Sequence, residues 1–282
     1  MGTAKEIILK PILSKVASDF IKKHHYSGKV TQNSKLHFGI YLDNALHGAM
    51  SFGSPLDKRK VLPLVKDTLW NEMLELNRMA FDDYLPKNSE SRALSIAFKL
   101  IKKNYPHIKW ILSFADGTQC GDGAIYRASG FVLTGIHKSM NLVKYGDNIV
   151  IHKMTLEYNP TQKRPELGGK SYYDITNGKY NLVAYKNYVG GEIIPGFQLR
   201  YIYFLHPEEK ENLTVPILPF GKIDELGAGM YKGNKVSYRE RNLCVESSKS
   251  EQVISNDKVA ENYRPQRSII THAENKKTCK SK

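Results

Sequence analysis

Residues 73–116 carry the clearest structural pattern of the chain: MLELNRMAFDDYLPKNSESRALSIAFKLIKKNYPHIKWILSFAD. Met73 to Phe81 has the composition of a strand. Apolar residues between Ala93 and Ile101 recur at helical spacing, and Pro106 ends that helix. Trp110 to Ala115 is a continuous apolar run, typical of a buried strand. A strand, a helix and a strand in this order predict an α/β protein.

The sequence on either side extends this unit. Upstream, the apolar residues that follow Pro11 have helical spacing as far as His25, with Pro11 in the first turn. Two strand-like runs come next, separated by Asp43-Asn44, a two-residue turn that predicts a hairpin. The downstream predictions are a short helix at 123–129 and strands at 131–135 and 149–158. The predicted fold class is α/β, with a mixed central β-sheet flanked by helices.

Composition divides the chain into three segments. Residues 1–160 hold the predicted α/β domain. Residues 161–230 are rich in Gly, Tyr and Pro and include QLRYIYFL and LTVPILPF, which predict short strands of a β-rich C-terminal extension packed on that domain. Residues 231–282 are rich in Ser, Asn, Lys and Glu and are expected to be a disordered basic tail.

Charge is the most informative global property. Lys and Arg number 42 against 28 Asp and Glu, a formal net charge of +14. The segment 231–282 has 12 basic and 6 acidic residues, so the body of the chain keeps a charge of +8. A basic body is typical of proteins that bind a polyanion, most often nucleic acid.

Other classes of protein are disfavoured. No apolar run approaches the ~18 residues of a membrane span, and the N-terminal residues lack the apolar core of a signal peptide. The three cysteines, Cys120, Cys244 and Cys279, are few and far apart, which argues against a disulfide framework. We therefore expect a cytoplasmic protein without a membrane partner.

The segment PKNSESRA at 86–93 is the first candidate site. It lies between a strand and a helix, and a helix N-terminus offers unpaired N–H groups and a positive dipole to a phosphate. The candidate ligand-binding residues are Lys87, Asn88, Ser89, Ser91 and Arg92. The alternative is a simple capped helix with Asn88 or Ser89 as the N-cap.

Two further candidates follow the buried strand. Asp116 lies where that strand ends, the position at which ligands collect in open α/β sheets, and a carboxylate there can act as a base or bind a metal. Tyr126, in the helix GAIYRASGF, could donate a proton to a leaving group. The alternatives are a turn-forming Asp116 and a simply packed Tyr126.

Arg78 and the pair His24-His25 are unusual in their contexts. An arginine inside the apolar strand LELNRMAF is costly to bury unless an anionic ligand or a carboxylate such as Asp116 or Glu75 pairs with it. Adjacent histidines at a helix end can ligate metal, titrate or stack on a base, although at most one of them faces inward. The remaining candidate site residues are Tyr26 and the basic cluster Lys58, Arg59 and Lys60.

The order of elements resembles the GNAT acyltransferase core, in which a Q/R-x-x-G-x-G/A loop holds the pyrophosphate of coenzyme A. Here Ala93 fits that pattern, whereas Ser91 replaces the first glycine and Asn88 replaces the leading Gln or Arg. A more specific resemblance, over about 15–225, is to the Mom family of phage DNA-modification proteins. The matching strings are HHYSGKV, LHFGIYLDNALHGAMSFG, DKRK, NEMLELNRMAF, PKNSESRAL, YPHIKWILSFADGTQCGDG, IYRASGFVLT, LRYIYFL and LTVPILPF.

The resemblance implies both a fold and a function. Mom proteins have a GNAT-like fold and convert DNA adenine to its N6-methylcarbamoyl (acetamido) form, which protects phage DNA from host restriction. Residues 1–160 would then be a GNAT-like catalytic domain whose partners are double-stranded DNA and acetyl-CoA or a related acyl-CoA. The family pattern implies that Arg78, Asp116, Tyr126 and His25 are the catalytic or ligand-binding residues.

A working mechanism follows from that resemblance. The target adenine leaves the base stack, Lys58, Arg59 and Lys60 contact DNA phosphates, and Tyr26 stacks on the extruded base. Asp116 orients or deprotonates the exocyclic amine, and Tyr126 acts at the thioester end. An acetamido product needs a bond from nitrogen to the methyl carbon, which simple acetyl transfer does not form. His25 and Asp116 are therefore candidate ligands of a metal such as iron.

Two other functions are compatible with the residues. An ordinary GNAT N-acetyltransferase acting on a small amine or a protein would explain the core but not the basic body. A DNA-binding module without enzymatic activity would explain the charge but would give no chemical role to Asp116 and Tyr126.

Overall fold

Eight strands form one sheet in the computed structural model of the protein, which describes residues 3–118, 121–147, 149–231 and 234–235. These strands are β1 (Ile8–Pro11), β2 (Ser34–Leu42), β3 (Ala45–Gly53), β4 (Met73–Phe81), β5 (Trp110–Asp116), β6 (Val132–Tyr145), β7 (Ile149–His152) and β8 (Glu192–Phe204). Their spatial order is β1-β2-β3-β4-β5-β8-β6-β7. A separate two-stranded ribbon joins β9 (Met230–Tyr231) and β10 (Asn234–Lys235).

Helices cover both faces of the sheet. They are α1 (Ser14–His24), α2 (Lys58–Val61), α3 (Ser89–Asn104), α4 (Ala124–Ala128), α5 (Lys153–Tyr158), α6 (Tyr172–Thr176), α7 (Leu182–Tyr188) and α8 (Gly221–Glu225). Short 3-10 helices cover Thr3–Glu6, Leu62–Leu64, Pro165–Leu167 and Pro207–Asn212.

The strand directions make the sheet mixed. β4 and β5 are parallel, with α3 as the crossover between them, and the other neighbouring strands of the large sheet are antiparallel. The predicted fold class, a mixed α/β sheet flanked by helices, is therefore confirmed. The predicted hairpin is confirmed as well: β2 and β3 are joined by Asp43 and Asn44, both at positive φ, as a type I′ turn requires.

Each face of the sheet has its own core. On one face, α3 buries Leu94, Phe98 and Ile101 against the central strands. On the opposite face, Ile21 of α1 packs against β3 and β4, and the segment 61–65 packs against β4, β5 and β8. The two buried layers hold the strands in place from both sides.

β8 corrects the expected arrangement of the segment 161–230. The QLRYIYFL part of β8 lies between β5 and β6 and pairs with both, so this segment completes the central sheet instead of forming a layer on top of it. Without β8, β5 and β6 would each present an unpaired edge. Outside β8, the regular secondary structure of this segment is helical, with α6, α7 and α8, and the segment is not β-rich.

Three local predictions differ from the structure. LTVPILPF is irregular and makes isolated bridges only through Leu213 and Leu218, because its two prolines cannot donate to a ladder. Pro11 ends the edge strand β1 and does not start α1. The predicted strand at 149–158 is β7 followed by α5, since the His152 side chain accepts a hydrogen bond from Met154 N and caps a new helix. The predicted disordered tail, 231–282, lies outside the described residues, apart from 231 and 234–235.

Gly123 determines how α4 packs. It precedes α4 at φ +71°, and a Cβ there would lie 2.7 Å from Cε2 of the fully buried Tyr201. Gly130 follows α4 at φ +83°, but its Cβ would meet Tyr203 at an ordinary 3.6 Å. Both Gly→Ala variants therefore carry the cost of a left-handed residue, about 1 kcal/mol.

We expect Gly123→Ala to lose about 1–3 kcal/mol more unfolding free energy than Gly130→Ala, because only the first creates a clash in a filled core. Urea unfolding of both variants measures the difference. Equal losses would mean that Tyr201 yields to the new methyl group.

Candidate active site

β4 and β5 separate partway along their length. Their parallel pairing covers Met73–Glu75 of β4 opposite Trp110–Leu112 of β5. Beyond these pairs β4 continues against β3, and β5 continues against β8. The carboxyl-terminal halves of the two strands, both within the described chain, face each other without ladder pairs. The carboxyl ends of strands are where open α/β sheets bind ligands.

A β-bulge lies on β4 where the strands separate. Ser51 is opposite Arg78 and Phe52 is opposite Leu76, so Asn77 is the extra residue of the bulge. The Asn77 carbonyl oxygen accepts a hydrogen bond of 2.6 Å from Nη1 of Arg78. The bulge therefore both directs Arg78 and supplies an acceptor for its guanidinium group.

Arg78 and Asp116 lie on the same face of the sheet. Ala80, two residues beyond Arg78, packs in the cluster beneath α1. Leu112 and Phe114 alternate with Asp116 along β5 and belong to the cluster beneath residues 61–65, on that same face. The two charged side chains therefore stand on opposite sides of the gap between the strands.

His25 follows α1 and interacts with Arg78. Burial lowers the pKa of His25 to about 4, and the positive charge of Arg78 adds to the shift. The ring is therefore neutral at pH 7. Its Nδ1 accepts a hydrogen bond of 3.2 Å from the Ser27 backbone N–H, which leaves the proton of the neutral ring on Nε2. His25 is thus a hydrogen-bond donor of fixed tautomer.

Asp116 combines a structural contact with a charged one. Its Oδ1 accepts a hydrogen bond of 3.0 Å from Thr118 N, which is the turn contact predicted as the alternative role. The same carboxylate lies near His152, since burial lowers the pKa of His152 while the charge of Asp116 opposes that shift. Asp116 therefore faces the end of β7 as well as ending β5.

Lys29 connects these groups. Its carbonyl oxygen accepts a hydrogen bond of 3.1 Å from Nε of Arg78, and its ammonium group donates to Oγ1 of Thr155 in α5. Its charge also acts on His152. The loop after α1 thereby contacts both Arg78 of β4 and the helix α5.

Sequence reasoning missed Lys29 and His152, and also Arg164, which donates to the Thr155 carbonyl oxygen in α5. Lys29 stands in the string HHYSGKV, so its proximity to His25 was a usable signal. His152 and Arg164 have no local pattern that sets them apart from surface residues. Their role becomes visible only when the chain from β7 onward folds back over the sheet.

The N-terminus of α3 has the features of an anion site. Asn88 stands at the N-cap position with φ 71°, and no side chain within the described residues caps this helix end. The Ser89 and Ser91 hydroxyls donate to the Pro86 and Asn88 carbonyl oxygens, at 2.6 and 3.2 Å. Asn88 thus occupies the N-cap position of the alternative, but its side chain makes no capping hydrogen bond. Ser89 N donates to the Pro86 carbonyl oxygen and Arg92 N to that of Asn88, so the N–H groups of Glu90 and Ser91 are the ones left for a ligand.

Charged side chains flank this helix end. Lys87 is exposed, and Nη2 of Arg92 donates to the Lys5 carbonyl oxygen at 3.1 Å. Because α3 runs back from the carboxyl end of β4, its N-terminus lies at the end of the sheet where β4 and β5 have separated.

Tyr126 packs as an aromatic residue. Its ring lies 5.2 Å from the ring of Tyr201 and 5.1 Å from that of Phe131, next to the core beneath α3. This is the packing that the structural alternative predicted for the ring. A role of its hydroxyl in proton transfer stays a prediction.

The predicted DNA-contacting residues are exposed. Lys58, Arg59 and Lys60 form the short helix α2, where Asp57 accepts hydrogen bonds from Arg59 N and Lys60 N and pairs with the Lys60 ammonium group at 3.4 Å. Tyr26 is 54% exposed, and its ring lies 4.3 Å from that of His25. Tyr26 thus adjoins the site, whereas no contact joins α2 to His25 or Arg78 within the described chain.

The candidate metal ligands His25 and Asp116 are not joined by a third ligand in the described part of the chain. Among the residues that the structure describes, no three His, Cys, Asp or Glu side chains are grouped as metal ligands. A metal on His25 and Asp116 stays a prediction.

Comparison of the chain with known proteins identifies its family. The model of the Mom protein family matches residues 6–222. The chain belongs to the Mom protein family. A relative, the methylcarbamoylase Mom of Escherichia phage Mu, is 31% identical over 221 residues, which are 76% of this chain and 82% of the phage protein. The resemblance found in the sequence is confirmed.

Solved structures with a similar arrangement are acetyltransferases. One is the ribosomal-protein-S18-alanine N-acetyltransferase of Escherichia coli, with a TM-score of 0.38 and 8% identity over 71% of this chain and 94% of that one. Another is a GNAT family acetyltransferase of Elizabethkingia anophelis with acetyl-CoA bound, with a TM-score of 0.37 and 14% identity over 52% of this chain and 93% of that one.

Within the described residues of this Mom protein, no helix is both long and apolar enough to span a bilayer.

The lowered pKa of His25 predicts a pH-dependent stability. Between about pH 6.5 and 4 the unfolded chain binds a proton at His25 that the folded protein does not bind, so stability falls as the pH falls through this range. His25→Asn removes this titration and keeps an acceptor for Ser27 N.

We expect the wild type to lose about 2 kcal/mol more unfolding free energy than His25→Asn between pH 7 and pH 4.5. Urea unfolding of both proteins at both pH values measures this difference. The contributions of the other buried histidines cancel, because both proteins contain them. Parallel losses would show that His25 titrates normally in the folded state.

Proposed function

We propose that this Mom protein is a DNA-modification enzyme that converts adenine N6 in double-stranded DNA to a methylcarbamoyl (acetamido) form and so protects phage DNA from host restriction. The proposal places it in the cytoplasm of the infected or host bacterium, with a coenzyme A thioester as cofactor. Family membership supports it, as does the similarity to the phage Mu methylcarbamoylase. The observation that carries it is the gap between β4 and β5, with an anion site at one end and Arg78, His25 and Asp116 on one face.

The cofactor fits the gap and the helix end beside it. The N–H groups at the start of α3, with Lys87 and Arg92, would hold the pyrophosphate. The small side chains of Asn88, Ser89 and Ser91 would let the pyrophosphate approach the backbone there. Farther along the gap, the buried hydroxyl of Ser113 on β5 has no hydrogen-bond partner among the described residues. A buried hydroxyl of this kind is normally satisfied, so a polar group of a ligand in the gap would complete it. When bound, the thioester supplies an activated two-carbon acyl group.

The adenine fits the opposite face. Its Watson–Crick edge presents an amine donor at N6 beside a ring-nitrogen acceptor at N1, and an enzyme that acts on N6 must take the base out of the stack. Asp116 offers a carboxylate acceptor, and His25 offers the Nε2–H donor that its tautomer fixes. This donor and acceptor match adenine and mismatch guanine, whose corresponding edge has a carbonyl and an N–H. Tyr26 would stack on the extruded base.

The charges of the site serve proton transfer. Any new bond at N6 requires the amine to lose one proton, and Asp116 would accept it. Lys29, whose charge acts on His152 beside Asp116, and Arg78, which donates to the carbonyl oxygens of Lys29 and Asn77, would keep that carboxylate in a positive field. Tyr126 would act at the thioester end, and Lys58, Arg59 and Lys60 would contact phosphates of the duplex.

Asp116→Asn tests the proposed base. The amide keeps the Oδ1 contact to Thr118 N but cannot accept a proton, so we expect adenine modification to fall by at least about 100-fold with DNA binding retained. Mass spectrometry of nucleosides from DNA of expressing cells measures the product, and salt-dependent binding to a duplex measures affinity. A variant that modifies adenine normally would remove Asp116 from the chemistry. Unmodified adenine in cells expressing the wild type, beside an acetylated amine, would favour an ordinary N-acetyltransferase.

Ser91→Asp tests the cofactor site. A carboxylate in the first turn of α3 interacts favourably with the helix dipole, so the melting temperature should stay the same or rise. The same charge repels a pyrophosphate, so we expect coenzyme A to bind at least about 10-fold more weakly by calorimetry. Ser95→Asp, an exposed position one turn further along the helix, is the control. Equal affinity of Ser91→Asp and the wild type would place the cofactor elsewhere.

A further inference from the structure

Lys29 and Arg164 approach each other around one residue, Thr155. The Lys29 ammonium group donates to Oγ1 of Thr155, and Nη2 of Arg164 donates to the Thr155 carbonyl oxygen at 2.7 Å. The two cations come from distant parts of the chain, one from the loop after α1 and the other from the segment after α5. Two positive groups are thus held together on a single residue next to the candidate active site.

This pair of cations is incompletely neutralised. Arg164 is only 9% exposed, and its carboxylate partner, Glu166, is 3.7 Å away from Nη1. Its Nε has no hydrogen-bond partner among the described residues. In the same part of the structure, no carboxylate lies within 4 Å of the Lys29 ammonium nitrogen. Like charges held together in this way are costly unless an anion pairs with them.

Electrostatics agree with this geometry. Partial burial lowers the pKa of Lys29, and the charge of Arg164 lowers it further. A bound anion would remove both the repulsion and the unmet donor on Arg164. Lys29 itself is an exposed residue, so an anion from outside can reach its ammonium group.

The position of the pair indicates which anion it would meet. Arg78 donates to the Lys29 carbonyl oxygen, and Lys29 acts electrostatically on His152, so the pair borders the face proposed to receive the adenine. The cofactor pyrophosphate is assigned to the start of α3, a helix that packs on the other face of the sheet. A nucleotide drawn out of a duplex brings its own phosphodiesters with it.

We propose that Lys29 and Arg164, joined by Thr155, bind a backbone phosphodiester of the DNA strand that carries the extruded adenine. This inference rests on the proposed function, because it assigns the strand contact of the same site. The contact would hold the extruded nucleotide in register with His25 and Asp116. It would also make α5 part of the DNA-binding surface, in addition to α2.

Lys29→Met removes the accessible cation and leaves the buried Arg164 in place. We expect its affinity for a duplex oligonucleotide to fall about 5- to 10-fold at low salt. The slope of log K against log salt should fall in magnitude by about 0.9, the value for one phosphate contact. Lys29→Arg keeps the charge and should restore most of both. Lys103→Met, an exposed lysine at the end of α3, is the matched control and should leave both unchanged.

The outcomes separate this inference from the function on which it rests. An unchanged affinity and salt slope in Lys29→Met would overturn the phosphate contact, even if the wild type modifies adenine. Weaker binding of coenzyme A with DNA binding retained would also overturn it, since the recognised phosphate would then be that of the cofactor. If the phosphate contact is present but the wild type leaves adenine unmodified, the proposed function fails by itself. The melting temperature of each variant checks folding, and Thr155→Val, which loses the Oγ1 acceptor, should reproduce part of the Lys29→Met effect.

Discussion

The parallel pairing of β4 and β5 ends after Glu75 and Leu112, and the rest of the site depends on this early end. Each strand is stabilised beyond that point by its other neighbour, β3 or β8, so the sheet stays intact while a gap opens inside it. The bulge at Asn77 takes up the extra length on β4 and provides the carbonyl oxygen that receives Arg78. A single interruption of one ladder thus creates room for a ligand and places a cation at its border.

Several cations lie close together in the site and affect the protonation of its histidines. Arg78, Lys29 and Arg164 lie close enough to act on their neighbours, and burial with these charges keeps His25 and His152 neutral at pH 7. Neutral imidazoles whose Nδ1 atoms accept backbone N–H groups have a fixed tautomer, with the remaining proton directed away from the backbone. The site therefore presents fixed donors, the Asp116 carboxylate and a cluster of cations, a combination suited to a base attached to a phosphate backbone.

Much of the fold was predictable from local pattern. β4 has the bounds predicted for it, Met73 to Phe81, and the Asp43-Asn44 hairpin and the helix α3 were found because their residue spacing repeats over short distances. The place of β8 was not predictable, since nothing in QLRYIYFL specifies which strands it pairs with. Within the site, Arg78 stood out as an arginine in an apolar strand, whereas the cap of α5 by His152 hid a histidine of the site inside a predicted strand.

The sequence by itself determined the α/β class, the positions of β2 to β5 and the start of β6, and the family, because each rests on short stretches of neighbouring residues. Only the tertiary structure decided which charged groups meet. Lys29 and Thr155 are 126 residues apart, and their contact exists because β8 enters the sheet beside β5 and brings the chain after β7 back over the gap. Contacts of that separation depend on strand pairing and on the packing of two faces, and neither leaves a periodic signal in the sequence.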